Sequence, residues 1–264
     1  MKKFYIIFVF IIFTLFVFSW GMLTIQKKIF PYIQIKLVKD YFQINNSTKS
    51  ESTVAVNKKQ EDKKWVKNVI NGGYILHFRH AEREKWALVN SFELFALKQE
   101  INVEGSSFER ATCLTSKGIE EAKLIGNVFT ILNIKIQRVY SSPSCRALQT
   151  AKYAFNKVDI TTTALLGKGV VKKHQYEDFG NKLRRLFDEI KIEKGKNIIL
   201  SGHRGTLITF VDKVIDVNEV EGLDNARDET GFTVLEKVGN KIFARYQFKN
   251  FNDFATIAIE IPLN

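Results

Sequence analysis

The chain has 264 residues, 45% of them hydrophobic, and a formal net charge of +12. That apolar fraction is ample for a core and excludes an intrinsically disordered chain. The charge is lopsided: residues 1–67 hold twelve lysines against four carboxylates and so carry +8 of the +12, and no tract alternates arginine with aromatics, which argues against nucleic acid as a partner.

Phe4 to Ile25 is uncharged and rich in Phe, Ile, Val and Leu, with Lys2-Lys3 before it and Lys27-Lys28 after it. Roughly 20 such residues cross a hydrocarbon layer at helical rise, so residues 1–26 are expected to form an N-terminal transmembrane helix. Ser19-Trp20-Gly21 also suits the cleavage site of an export signal, but the apolar run continues through Met22-Leu23-Thr24-Ile25, which favours an uncleaved anchor. Two rules conflict over the side of the membrane. The excess of Lys27, Lys28, Lys36 and Lys39 over Lys2 and Lys3 puts the rest of the chain in the cytoplasm; an N-terminal export signal puts it outside. Residues 27–64 are expected to be a basic juxtamembrane segment followed, from 43, by a polar flexible stalk. The globular domain is expected over 65–264.

Within that domain strands and helices alternate. Tyr74–Phe78 predicts a buried strand after the Asn71-Gly72-Gly73 turn, and Thr115 is a fitting N-cap for a helix through Ala122, Ile125 and Phe129. Arg138–Ser141 predicts a second strand, Ser144–Phe155 and Leu183–Ile190 two further helices, and Asn197–Ser201 a third strand with a helix from about Thr206. Phe232–Val238 and Ile242–Phe248 predict a hairpin about Gly239-Asn240. Trp86–Ile101 could form a helix in an inserted segment, 83–111, that reads as a lid. The alternation implies an α/β three-layer sandwich with a mostly parallel sheet, whose ligands would bind beyond the carboxyl ends of its strands.

Those ends are polar. The first strand runs into Arg79-His80-Ala81-Glu82, the second into Ser141-Ser142-Pro143-Ser144-Cys145-Arg146, and the third into Ser201-Gly202-His203-Arg204-Gly205-Thr206. If the strands are parallel neighbours, two histidines and at least two arginines converge, a cluster that calls for an anion. Arginine forks match phosphate oxygens. His77 lies on the opposite pleat from His80 and is expected to be structural. His174, in a lysine-rich loop with Lys168, Lys172 and Lys173, is a lesser candidate for substrate contact, and Arg204 is either an added contact or a solvated side chain.

The order Arg79-His80-Ala81, then Leu114-Thr115 with Gly118 and Ala122, then Ser141-Ser142 with Arg146, Thr150 and Ala151, then His203, resembles the histidine phosphatase superfamily, the phosphoglycerate-mutase-like enzymes, over roughly residues 70 to 250. FRHAER, the Thr-Cys-Leu before the helix and the N-terminal apolar segment look like its branch of extracytoplasmic phosphatases acting on lipopolysaccharide-core heptose phosphate. The resemblance implies a metal-independent phosphomonoesterase without a cofactor, acting on a phosphorylated small molecule or envelope sugar. His80 would be the nucleophile that carries the phosphoryl group, with Arg79, Arg146 and His203 binding it. The glutamate that many relatives place before the second histidine has no counterpart in Leu165-Leu166-Gly167-Lys168-Gly169. Glu82 is therefore the candidate general acid, with Glu177, Asp228 and Glu229 in reserve. A catalytically weak phosphate-binding module that docks a phosphorylated partner is the alternative.

Cys113 and Cys145 form no metal cluster and no Cys-x-x-Cys motif. The default is two buried thiols. Both lie on loops that the resemblance brings toward the crevice, so a bridge is a further expectation for an exported domain, provided the Cα atoms come within roughly 7 Å.

Overall fold

Five residues show how the domain is layered. In strand β1 (Ile75–Arg79) side chains alternate across the sheet. Leu76 and Phe78 enter one apolar cluster and Ile75 enters another on the opposite face. The structure, a computed structural model, describes residues 53–86, 89–167, 170, 176–209, 215–216 and 227–261. The expected transmembrane helix, the juxtamembrane segment and the stalk as far as residue 52 lie outside the described residues, as do Lys168, Lys172, Lys173 and His174. Among the described residues no helix is long and apolar enough to cross a membrane.

The described elements are α1 (Thr53–Asn71), β1, α2 (Val89–Lys98), α3 (Glu109–Thr112), α4 (Ser116–Ile131), β2 (Ile136–Ser141), α5 (Cys145–Phe155), β3 (Ile160–Thr161), α6 (Tyr176–Glu189), β4 (Asn197–Gly202), α7 (Thr206–Thr209), β5 (Ile215–Asp216), β6 (Phe232–Val238), β7 (Lys241–Phe248) and α8 (Phe251–Ile259). They build one sheet in the order β3-β2-β4-β1-β6-β7-β5. Residues from α1, α4, α5 and α8 pack on one face, and residues from α6, α7 and a 3₁₀ turn at Thr163–Leu165 on the other. The three-layer α/β expectation therefore holds. The sheet itself is mixed: β3, β2, β4 and β1 are parallel, whereas β6 runs antiparallel to both β1 and β7. A two-residue turn joins only antiparallel neighbours, and the β6–β7 hairpin, turning at Gly239 with φ +60°, enters the sheet beside β1.

Two ends of the domain differ from expectation. The stalk was expected to reach residue 64, yet helix α1 starts at Thr53 and the compact unit starts with it. Among its described side chains the helix buries Trp65, Val66 and Val69, over its last two turns. Trp65 stacks on Tyr246 at 5.9 Å, Asp62 accepts a hydrogen bond from the Tyr246 hydroxyl, and Lys63 pairs with Glu260 at 3.3 Å. Helix α8 is not among the elements the pattern predicts; Asn250 caps it, and Phe251, Phe254, Ala255 and Ala258 are buried.

Truncating a buried tryptophan costs ~3–5 kcal/mol. Trp65→Ala should lower the unfolding free energy by about that much in urea titration, whereas a free stalk residue would change it hardly at all.

Candidate functional site

Parallel pairing of β1 and β4 sets Arg79 opposite Gly202, and pairing of β2 and β4 sets Ser141 opposite Ser201. The three polar strand ends therefore converge as expected. His80 N–H donates to the Gly202 carbonyl at 3.0 Å, and the rings of His80 and His203 lie 5.4 Å apart. Arg146 arrives from the first turn of α5, whose N-cap is Ser144.

The motif residues without chemistry of their own hold this arrangement. Thr150 Oγ1 accepts from Ala81 N–H at 2.9 Å and donates to the Arg146 carbonyl at 2.7 Å, tying the nucleophile loop to the arginine helix. Thr115 caps α4 by accepting from Gly118 N–H at 3.0 Å. A Cβ at Gly118 would collide with the Glu82 carbonyl oxygen, so only glycine lets the loop lie against the start of α4. Gly167 packs in the same way on the side chain of His203.

Both histidines are held neutral. His80 Nδ1 lies 2.8 Å from the Ala81 carbonyl, which can only accept, so Nδ1 carries the proton and Nε2 is left as the free base. Arg146 Nη2, which can only donate, lies 3.3 Å from His203 Nδ1; that histidine's proton is therefore on Nε2, which faces the hydroxyls of Ser144 at 2.9 Å and Ser142 at 3.1 Å. Burial, and next the Arg146 guanidinium, pushes both imidazoles well below the usual histidine range. His77 is fully buried against Arg227 and is likewise pushed down by burial and that guanidinium.

Charges surround the pair. Arg79 donates to the Arg227 carbonyl at 2.9 Å and pairs with Glu229 at 3.4 Å. Arg146, only 3% exposed, pairs with Glu93 at 2.8 Å. Arg83 is a third guanidinium whose charge reaches His80. Among the described residues no group of three or more His, Cys, Asp or Glu is placed to hold a metal.

Of the residues expected from sequence, Arg79, His80, Arg146 and His203 come together. Glu82 does not join them as a proton donor: its carboxylate is bound by Lys117 and by Thr115 Oγ1, and the Lys117 hydrogen bond above all holds it below the usual carboxylate range. Both of its oxygens are taken, Oε1 by Thr115 and Oε2 by the exposed Lys117. Glu177, Asp228 and Arg204 are exposed, and Glu229 serves Arg79. Sequence reasoning missed Glu93. Its signal was a glutamate in phase with Val89 and Ala96 on the buried side of α2. Arg83 was also missed; as one more arginine in a charged run it carried no signal of its own.

Cys113 and Cys145 form a disulfide with Cα atoms 4.9 Å apart, so the default of two thiols is corrected and the expected approach is found. The bridge joins the end of the inserted segment to the residue preceding Arg146.

Residues 78–167 match the model of the histidine phosphatase superfamily (branch 1). The likeness to that superfamily rests on this segment of the chain. No curated protein matches the chain. The chain is also similar to solved structures: the protein histidine phosphatase SixA complexed with tungstate (15% identity, 66% of this chain and 96% of that one, TM-score 0.44); a phosphoserine phosphatase mutant from Entamoeba histolytica in complex with phosphoserine (15%, 69% and 98%, 0.38); and a mycobacterial glucosyl-3-phosphoglycerate phosphatase (14%, 64% and 92%, 0.41).

Two outcomes follow for this domain. A histidine pushed down in the fold leaves stability complete above the unfolded value of about 6.5 and removes it as pH falls, because the unfolded chain binds the extra proton. With His77, His80 and His203 all in this state, urea midpoints should be flat above about pH 7.5 and fall steadily below about pH 6.5, less steeply in His80→Asn. The crosslink spans 32 residues, a loop for which chain entropy gives ~3–4 kcal/mol. Cys113→Ser with Cys145→Ser should lower the unfolding free energy by about 3 kcal/mol, measured with and without reductant; the variant alone should be indifferent to reductant.

Proposed function

We propose that the domain is a metal-independent phosphomonoesterase that works through a phosphohistidine on His80. The observation that carries the reading is the fixed tautomer of a neutral His80, with Nδ1–H spent on the Ala81 carbonyl and Nε2 free beside three arginines. Nε2 attacks phosphorus, the bond to the ester oxygen breaks, and that oxygen leaves as a hydroxyl after gaining a proton. Water then attacks phosphorus, the P–N bond breaks, and inorganic phosphate departs with His80 restored. Arg79 and Arg146 neutralise the dianion and, with His203, stabilise the charge spread over the equatorial oxygens in transit, which is usually the largest single effect. Arginine charge performs here what a metal performs elsewhere, so the chemistry asks for no cofactor.

The substrate in this reading is a small or membrane-associated phosphate monoester, a phosphorylated envelope sugar in the narrowest version. The apolar Phe4–Ile25 run and the FRHAER resemblance support that version. A disulfide persists in an oxidising compartment, and the Cys113–Cys145 bridge supports an extracytoplasmic domain on a single N-terminal anchor. A compartment reporter fused at the C-terminus decides the side.

The full chain in detergent should hydrolyse p-nitrophenyl phosphate with EDTA present and form an acid-labile, base-stable phosphoprotein. His80→Ala should lose both, falling at least 10³-fold in turnover. Phosphate binding without turnover would replace this reading with the docking module.

A further inference from the structure

Glu93 is 2% exposed on α2, in a segment inserted between the nucleophile and α4, and a carboxylate is not buried so without a partner that matters. Its Oε2 accepts from Arg146 Nη2 at 2.8 Å, and the same Nη2 lies 3.3 Å from His203 Nδ1. Glu93 is thus one guanidinium away from the second histidine, and through it from His80. The pair is incompletely bonded. Glu93 Oε1, Arg146 Nε and Arg146 Nη1 are buried and find no hydrogen-bond partner among the described residues. Orphaned buried polar atoms of this kind are costly and call for a ligand. Nε and Nη1 can only donate, so they require acceptor oxygens, and the positive charge of the guanidinium favours anionic ones. Oε1 requires a donor unless it is itself protonated, in which case it donates to an oxygen. A phosphate monoester offers both the anionic oxygens and, beside them, the ester oxygen.

We propose that Glu93 is the general acid and base of the reaction, supplied by the inserted helix. The proposal rests on the phosphomonoesterase reading above. When the dianionic ester takes the open donors of Arg146, its oxygens face Glu93 Oε1, which has no partner of its own, and a proton between the two carries the contact. Protonated Glu93 gives that proton to the ester oxygen as the P–O bond breaks and His80 Nε2 takes the phosphoryl group. It is left as a carboxylate, the form Arg146 is placed to hold. In the second half it accepts a proton from the attacking water as the P–N bond breaks, which restores the starting state.

Leaving-group dependence tests this. An alkyl phosphate needs its oxygen protonated and p-nitrophenyl phosphate hardly does, so Glu93→Gln should slow formation of the phosphoenzyme from an alkyl phosphate by about 10²–10⁴-fold while changing it less than about tenfold for p-nitrophenyl phosphate. The basic limb of the alkyl-phosphate pH profile should vanish in Glu93→Gln and persist in Glu93→Asp. Equal slowing of both esters, or an unchanged pH profile in Glu93→Gln, would reduce Glu93 to a structural partner of Arg146 and overturn the proposal. A cooperative urea transition certifies the fold of Glu93→Gln; should that variant not fold, Glu93→Asp decides alone, by whether its alkyl-phosphate basic limb persists. A wild-type chain that turns over neither ester overturns the phosphomonoesterase reading itself, a different outcome from either of these.

Discussion

The structure of this site turns on one buried guanidinium. In the proposed reaction Arg146 sits where a phosphate dianion arrives, and it is buried there, yet an isolated buried charge costs several kcal/mol. The fold meets that cost with Glu93 on one side and the neutral, Nδ1-accepting His203 on the other. The same constraint explains the protonation of both imidazoles. Burial first, and then the positive charge of Arg146 beside them, hold His80 and His203 as free bases, and a free base is what nucleophilic attack on phosphorus requires. The burial that makes Arg146 need partners also keeps the imidazoles neutral.

What was legible in the sequence, and what was not, follows the range of the interactions. Strand ends bearing Arg-His, Ser-Ser and Gly-His can be read because pleat alternation and the α/β rule place them without knowledge of any contact. Thr115 as N-cap is similarly local. The mixed sheet follows from a hairpin that was itself readable, but its neighbour in the sheet was not, because nothing within β6 says that it will pair with β1. Helix α1 was hidden because the apolar residues it is seen to bury, Trp65, Val66 and Val69, pack against partners near the far end of the chain: Tyr246 lies about 180 residues on from Trp65. Glu82 was chosen as proton donor for being next to the nucleophile in sequence. The fold turns its carboxylate to Lys117, and a residue further along occupies the crevice instead.

The inserted segment is fastened to the site along a single helix face. Arg146, Gln149 and Lys152 stand three residues apart on α5 and so share a face. They reach Glu93, then Leu114 N–H and Glu104, then Glu104 again. Cys145, one residue before Arg146, adds the covalent tie to Cys113. The same helix also grips the core: Ser201 Oγ donates to the Ala147 carbonyl at 2.8 Å, and Thr150 holds the Ala81 N–H. Helix α5 is therefore the beam between a rigid sheet that carries the nucleophile and a segment whose glutamate faces the phosphate-binding arginine.

That division of labour bears on why the ties differ in kind. The exposed pair Lys152–Glu104, at 3.7 Å, contributes little on its own, since surface ion pairs are worth about 0–1 kcal/mol. Gln149 and the disulfide fix the segment's far end at a position that does not depend on charge. Arg146–Glu93 is the one tie made of charge and buried, and so the one a phosphate dianion can compete for. Anchoring by neutral and covalent contacts lets that pair exchange its partner during binding without releasing the segment. Had the insertion been held by the Arg146–Glu93 pair alone, substrate would have loosened the carboxylate at the moment the leaving oxygen needs it.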